Sequence, residues 1–93
     1  MEITEIKIFP VNEEKLKAYV TIILDNCFVV RDLKVINGTT GLFVAMPSKK
    51  RKDGAFKDIA HPLNNETREM MENMILAAYD AEVKKGGAGA QDD

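Results

Sequence analysis

From Lys15 to Leu24 the chain alternates without a break: Leu16, Ala18, Val20, Ile22 and Leu24 are interleaved with Lys15, Lys17, Tyr19, Thr21 and Ile23. Successive side chains of an extended strand point to opposite faces, so a period of two predicts a strand with one apolar face. A strand needs partners, and the flanking segments offer them. Residues 2–9 form a second extended segment with Thr4, Ile6 and Ile8 on one side, ended by Pro10 and the Asn12-Glu13-Glu14 cluster. Asp25-Asn26 predicts a tight turn into Phe28 to Ile36, where Val29, Leu33 and Val35 share a face with Arg31. Asn37-Gly38 through Gly41 is another turn signal, since Asn and Gly tolerate positive φ. Leu42-Phe43-Val44-Ala45-Met46 follows, apolar on both faces, as in a strand covered from both sides.

After Pro47 the character changes. Lys49, Lys50, Arg51 and Lys52 stand consecutively, Asp53-Gly54 predicts a turn, and Phe56 to Ile59 can pair back as a short last strand. The basic segment 48–57 then becomes a hairpin projecting from the sheet. His61-Pro62 breaks the extended pattern, and Asn64 or Asn65 can cap a helix because a short amide side chain accepts a bond from a free first-turn N–H. Glu66 and Glu69 suit the positive end of that helix, Lys84 and Lys85 its negative end, and Gly86 its stop. One domain over residues 1–85 is expected, with 86–93 a small, polar, disordered tail.

The helix is apolar over a wide arc. Met70, Met71, Met74, Ile75, Ala77, Ala78 and Ala81 form one broad stripe, and Leu76, Tyr79 and Val83 flank it. A helix lying on one sheet needs a stripe of only about 100°. With 93 residues the core is thin as well: a monomer of this mass buries only about 64% of the surface its unfolded chain exposes. Leu42 to Met46 points the same way, since one helix cannot cover both faces of a sheet. Together these predict a homodimer, with Phe43, Met70, Met74, Ile75, Leu76 and Tyr79 as its core and interface residues.

Net charge is −2, but its distribution is uneven: residues 1–62 hold ten Lys/Arg against eight Asp/Glu, and residues 63–93 hold three against seven. The positive charge is therefore local, as binding sites are. No apolar run approaches the length that spans a bilayer. The acidic Met-Glu-Ile-Thr-Glu opening and a single cysteine lead us to expect a cytoplasmic protein without an export signal.

Catalysis needs a constellation of groups, and none can be assembled. Cys27 is expected to pack in the strands and His61 to be structural or at the surface. Together they supply two of the four or so ligands a zinc site needs. Asp53 is expected to belong to its turn and Asp58 to pair with a nearby lysine. No enzyme activity, cofactor, metal, membrane contact or small-molecule substrate is expected. The basic hairpin is a solvated turn, a phosphate-binding arm or a contact for an acidic protein partner. Four adjacent cations with Lys57 and the ring of Phe56 can neutralise phosphates and offer a stacking surface.

The block Gly41-Leu42-Phe43-Val44-Ala45-Met46-Pro47-Ser48-Lys49, with Asp53-Gly54, Phe56 and Asp58-Ile59-Ala60-His61-Pro62 after it, resembles the core of the stage V sporulation protein G (SpoVG) family. The opening Met-Glu-Ile-Thr-Glu-Ile-Lys-Ile and Asn65-Glu66-Thr67-Arg68 look like that family too, so the likeness runs to about residue 80. The resemblance implies a dimeric bacterial cytoplasmic regulator that binds DNA, and in some members RNA, and is tied to septation and sporulation. Carried onto this chain, its binding segment is Lys49, Lys50, Arg51 and Lys52 with Lys57. Lys52 stands where many members have proline and Ala55 where an acidic residue is expected, which makes this loop more basic.

The expectation is thus an α+β domain: a mostly antiparallel four- to five-stranded sheet with one C-terminal helix, dimeric, binding nucleic acid through Lys49, Lys50, Arg51, Lys52, Phe56 and Lys57. The alternative is a division-associated adaptor that binds a protein and does not touch nucleic acid.

Overall fold

The computed structural model describes residues 1–86. Four strands, β1 (Ile3–Pro10), β2 (Leu16–Leu24), β3 (Phe28–Gly38) and β4 (Gly41–Ala45), form an antiparallel sheet in chain order. The short strands β5 (Ser48–Lys50) and β6 (Phe56–Asp58) pair only with each other, and α1 (Asn65–Gly86) ends the described chain. The architecture is α+β, with one four-stranded sheet and a separate hairpin.

The alternation in β2 holds from Ala18 onward: Ala18, Val20 and Ile22 are buried with Leu33 and Val35 of β3, and Ile6 and Ile8 of β1 pack against them. The β2–β3 turn forms where Asp25-Asn26 predicts it. Asp25 (φ 49°) and Asn26 (φ 56°) are both left-handed, and the Cys27 N–H donates to the Leu24 carbonyl at 2.9 Å. Polar residues of this size occupy that region at little cost, and its twist suits a hairpin.

Three strands depart from simple alternation. On β2 the register slips at Lys17, since Leu16 pairs with Ile36 and Ala18 with Val35, and Leu16 lies outside the core cluster. On β3, Val20 pairs with Leu33 but Ile22 pairs with Val30, so Arg31 and Asp32 together oppose Thr21. This is a β-bulge, with Asp32 at φ 66°. It reverses the faces beyond it: Val30 packs against the core and Val29 is exposed, the opposite of what strict alternation predicts. On β1 the register shifts at Thr4, whose hydroxyl donates to the Ile23 carbonyl and accepts from the Asn26 N–H. Thr4 thus ties the strand to the turn, and Ile3 takes the buried place. Cys27, expected among packed strand residues, is exposed in the turn.

Helix α1 starts where the Asn64 side chain accepts the Thr67 N–H at 2.8 Å. It crosses one sheet face and touches β1 and β4, the outer strands. Met71 and Ile75 are buried against the sheet, and Leu76 and Tyr79 are half-buried. The Glu72 carboxylate accepts the Val44 N–H at 3.0 Å, which occupies an amide of edge strand β4. The broad apolar stripe divides in two. Met70, Met74, Ala77 and Ala81, at spacings of four, three and four, are all exposed. Phe43 is also exposed, its ring over Gly38. The six residues expected at the core and dimer interface thus separate into Ile75, Leu76 and Tyr79 against the sheet and Phe43, Met70 and Met74 outside it.

No described residue covers the sheet face away from α1, so β4, expected to be covered from both sides, is covered on one, and Leu42 and Phe43 are exposed. No helix among the described residues is long and apolar enough to cross a membrane. The expected disordered tail lies, after Gly86, outside the described residues.

Candidate functional site

Beyond Met46 and Pro47, both buried at the sheet margin, every residue from Ser48 to His61 is exposed. The segment keeps its shape through backbone bonds. The Ile59 N–H donates to the Pro47 carbonyl at 2.8 Å at the base, and the Arg51 N–H donates to the Ala55 carbonyl at 2.7 Å near the tip. At the tip the Gly54 N–H closes a turn on the Arg51 carbonyl at 3.0 Å. Gly54 sits at φ 92°, a region that explains the glycine. The Asp53 carboxylate accepts the Ala55 N–H at 3.0 Å, so this acid shapes the turn, as expected.

The register sorts the basic side chains. Ser48 pairs with Asp58, Lys49 with Lys57, and Lys50 with Phe56. Cross-strand partners share a face, so Lys49 and Lys57 project together from one side of the ribbon while Lys50 and Phe56 project from the other. Arg51 and Lys52 occupy the tip. The structure therefore gathers all six predicted residues onto one hairpin, with the aromatic beside Lys50. Phe56 is 70% exposed.

Asp58, expected to pair with a lysine, faces Ser48 and makes no ion pair among the described residues. The ion pair found there is Lys84–Asp80 on α1. None of the five hairpin cations has a carboxylate within 4.0 Å among these residues. Lys49 opposite Lys57 is a like-charge pair, which weakens a free hairpin and favours an anion between the strands. A shallow concavity of about 380 Å³ runs along the ribbon, lined by Lys49, Lys50, Arg51, Lys52, Lys57 and Asp58, with Ile59 at its end.

Elsewhere the chemistry is sparse. No group of three or more His, Cys, Asp or Glu among the described residues is placed to hold a metal. A pocket of about 220 Å³ beside His61 is walled by Leu24, Phe28, Val30, Met46 and Met71. It is apolar, and no polar or charged residue of the described chain is buried. His61 is exposed, and its Nδ1 lies 2.9 Å from the Pro62 carbonyl.

The SpoVG family model matches residues 1–81. The chain belongs to the SpoVG family. It is 77% identical over 88 residues to the protein of Anaeromyxobacter sp. (strain K) named "Putative septation protein SpoVG", covering 95% of this chain and 87% of that one. A protein of the same name from Bdellovibrio bacteriovorus is 72% identical over 87 residues, with 94% and 81% covered. One from Caldicellulosiruptor bescii is 48% identical, with 92% and 99% covered. The SpoVG match thus spans the sheet, the hairpin and most of α1, and the shared name attaches the relatives to septation.

Sequence reasoning located a second sheet face at Leu42 to Met46 and assigned it to a second subunit, but did not single out Phe9 and Tyr19, which are exposed there with Phe43. Tyr19 and Ile23 on the supposedly polar side of β2 were the available signal.

Proposed function

We propose that this SpoVG-family protein is a cytoplasmic, homodimeric nucleic-acid-binding regulator serving bacterial septation, and that it holds phosphates of DNA or RNA with its basic hairpin. The observation that carries this reading is the hairpin itself: Lys49, Lys50, Arg51, Lys52 and Lys57 on one exposed ribbon, with no carboxylate among the described residues close enough to neutralise them. Cations left unpaired in this way gain by displacing the counterions of a phosphate backbone, which gives affinity with little sequence information. The dimer is supported by the exposed Met70, Met74, Ala77, Ala81 seam of α1. Its spacing matches a helix-on-helix contact, and its alanines allow close approach. The reading involves no turnover and no cofactor.

The test is binding of a labelled duplex of arbitrary sequence to the wild-type protein and to a variant with Lys50, Arg51 and Lys52 all changed to Ala. The variant is expected to stay folded, because exposed loop charges contribute little to stability, and to bind at least tenfold more weakly. Unchanged affinity in a folded variant would instead support the adaptor alternative or a site elsewhere.

A further inference from the structure

We infer that the uncovered face of the four-stranded sheet is a stacking platform for unpaired bases, so that single-stranded nucleic acid lies across Phe9, Tyr19 and Lys34 while its backbone continues onto the hairpin. This rests on the nucleic-acid reading above and adds a second site with a different chemistry.

The register builds the platform. Phe9 pairs with Tyr19, Tyr19 with Lys34, and Lys34 with Ala45, a continuous row across all four strands. Partners in a row share a face. Ala18, Val20, Leu33 and Val35, the chain neighbours of Tyr19 and Lys34, point into the core, so the row lies on the side away from α1. Phe9 is 52% exposed and Tyr19 43%. Strands lie about 4.8 Å apart, so the row spans roughly 14 Å. Lys7 projects from the same face two residues from Phe9, opposite Thr21. At its β4 end the row reaches Ala45, and only Met46 and Pro47 separate Ala45 from the hairpin. A strand leaving the hairpin cations therefore meets Lys34, then two rings in succession.

Aromatic rings stack on any base, because every base has a π-face, and an interleaved ammonium holds the phosphate between stacked bases. Bases in a duplex already stack on each other, so this face selects single strands. The charge pattern favours this occupant over a second copy of the chain. Lys34 sits on an inner strand in the middle of the face, and interface cores between proteins are depleted of lysine. A dry contact there would bury an ammonium that has no carboxylate within 4.0 Å among the described residues, whereas a phosphate supplies the missing charge.

The experiment compares binding of an oligo(dT) of about a dozen nucleotides with binding of a random-sequence duplex. The proteins are the wild type, Phe9→Ala, Tyr19→Ala, the gentler Phe9→Leu and Tyr19→Leu, and the ring-preserving Tyr19→Phe. Stacking lost from one ring is expected to weaken oligo(dT) binding about 5- to 150-fold. Duplex affinity should not change, and Tyr19→Phe should retain both. The Leu variants keep an apolar side chain, so a melting temperature close to wild type separates lost stacking from lost folding. If folded Leu variants bind oligo(dT) as the wild type does while the Lys50/Arg51/Lys52 variant fails, the platform is wrong and the hairpin reading stands. If the ring variants lose oligo(dT) and the hairpin variant does not, the platform stands alone. Wild-type protein that binds neither ligand overturns both. If Tyr19→Leu instead turns a dimer into a monomer in sedimentation equilibrium, the face is an interface between copies and the platform is overturned.

Discussion

Ile75 and Met74 are neighbours in the chain with opposite surroundings: Ile75 is 0% exposed and Met74 38%. Ile75 fills the contact between α1 and the sheet, so Ile75→Ala removes three carbons from a site with little room to collapse. It is expected to cost about 2–5 kcal/mol in urea unfolding, whereas Met74→Ala at low protein concentration should cost under about 1 kcal/mol. Equal losses would mean that the helix does not seat as described. Both residues belong to the same broad stripe in the sequence, and periodicity alone could not separate them. A helix places them only about 100° apart, and which edge of the stripe meets the sheet is set by the approach of β1 and β4. The exchange of Val29 for Val30 was hidden for a related reason. One bulge residue, Asp32, reverses every face beyond it, and an aspartate in a strand reads equally well as an ordinary exposed position.

Among the elements, β2 and α1 were the most legible, since each carries its own period and its own ends. The Asn64 cap and the Lys84-Lys85 terminus lie where the helix dipole wants them. The hairpin was legible as a turn between two short pairing segments. Its separation from the main sheet was not, because that depends on where Pro47 releases the chain. The contact from Glu72 to Val44 could not be foreseen either: it joins residues 28 apart and becomes visible only once α1 lies across β4. It has a consequence for assembly. With a β4 amide occupied by a carboxylate, and β1 carrying Glu5, Lys7 and Pro10, neither sheet edge is a ready template for another strand. The proposed dimer is therefore expected to use the exposed seam of α1. Met70→Glu combined with Met74→Glu is expected to give a folded monomer, because like charges meet across a two-fold contact and neither residue is in the core. Sedimentation equilibrium at micromolar protein checks this, and a double variant that stays dimeric would move the interface off the helix.

At the scale of the whole molecule, the proposed dimer and the proposed hairpin site make a joint prediction, because the number of hairpins would set the number of phosphates engaged. Each hairpin offers Lys49 and Lys57 on one side, Arg51 and Lys52 at the tip, and Lys50 on the other side beside Phe56. A rigid duplex meets one side and part of the tip, about two or three cations per hairpin, hence about five for two copies. Each phosphate neutralised contributes about −0.9 to the slope of log affinity against log salt on duplex DNA. The expected slope is therefore near −4 to −5 for the dimer. The Met70→Glu, Met74→Glu monomer, with one hairpin, should fall to about half that. A titration of affinity between 50 and 200 mM salt measures both. Halving of the slope together with dissociation would tie the two features into one binding unit. A slope unchanged in the monomer would mean that a single hairpin makes all the contacts and that the second serves another ligand. A slope near zero in both would remove phosphates from the hairpin altogether. The basic segment would then serve solubility alone.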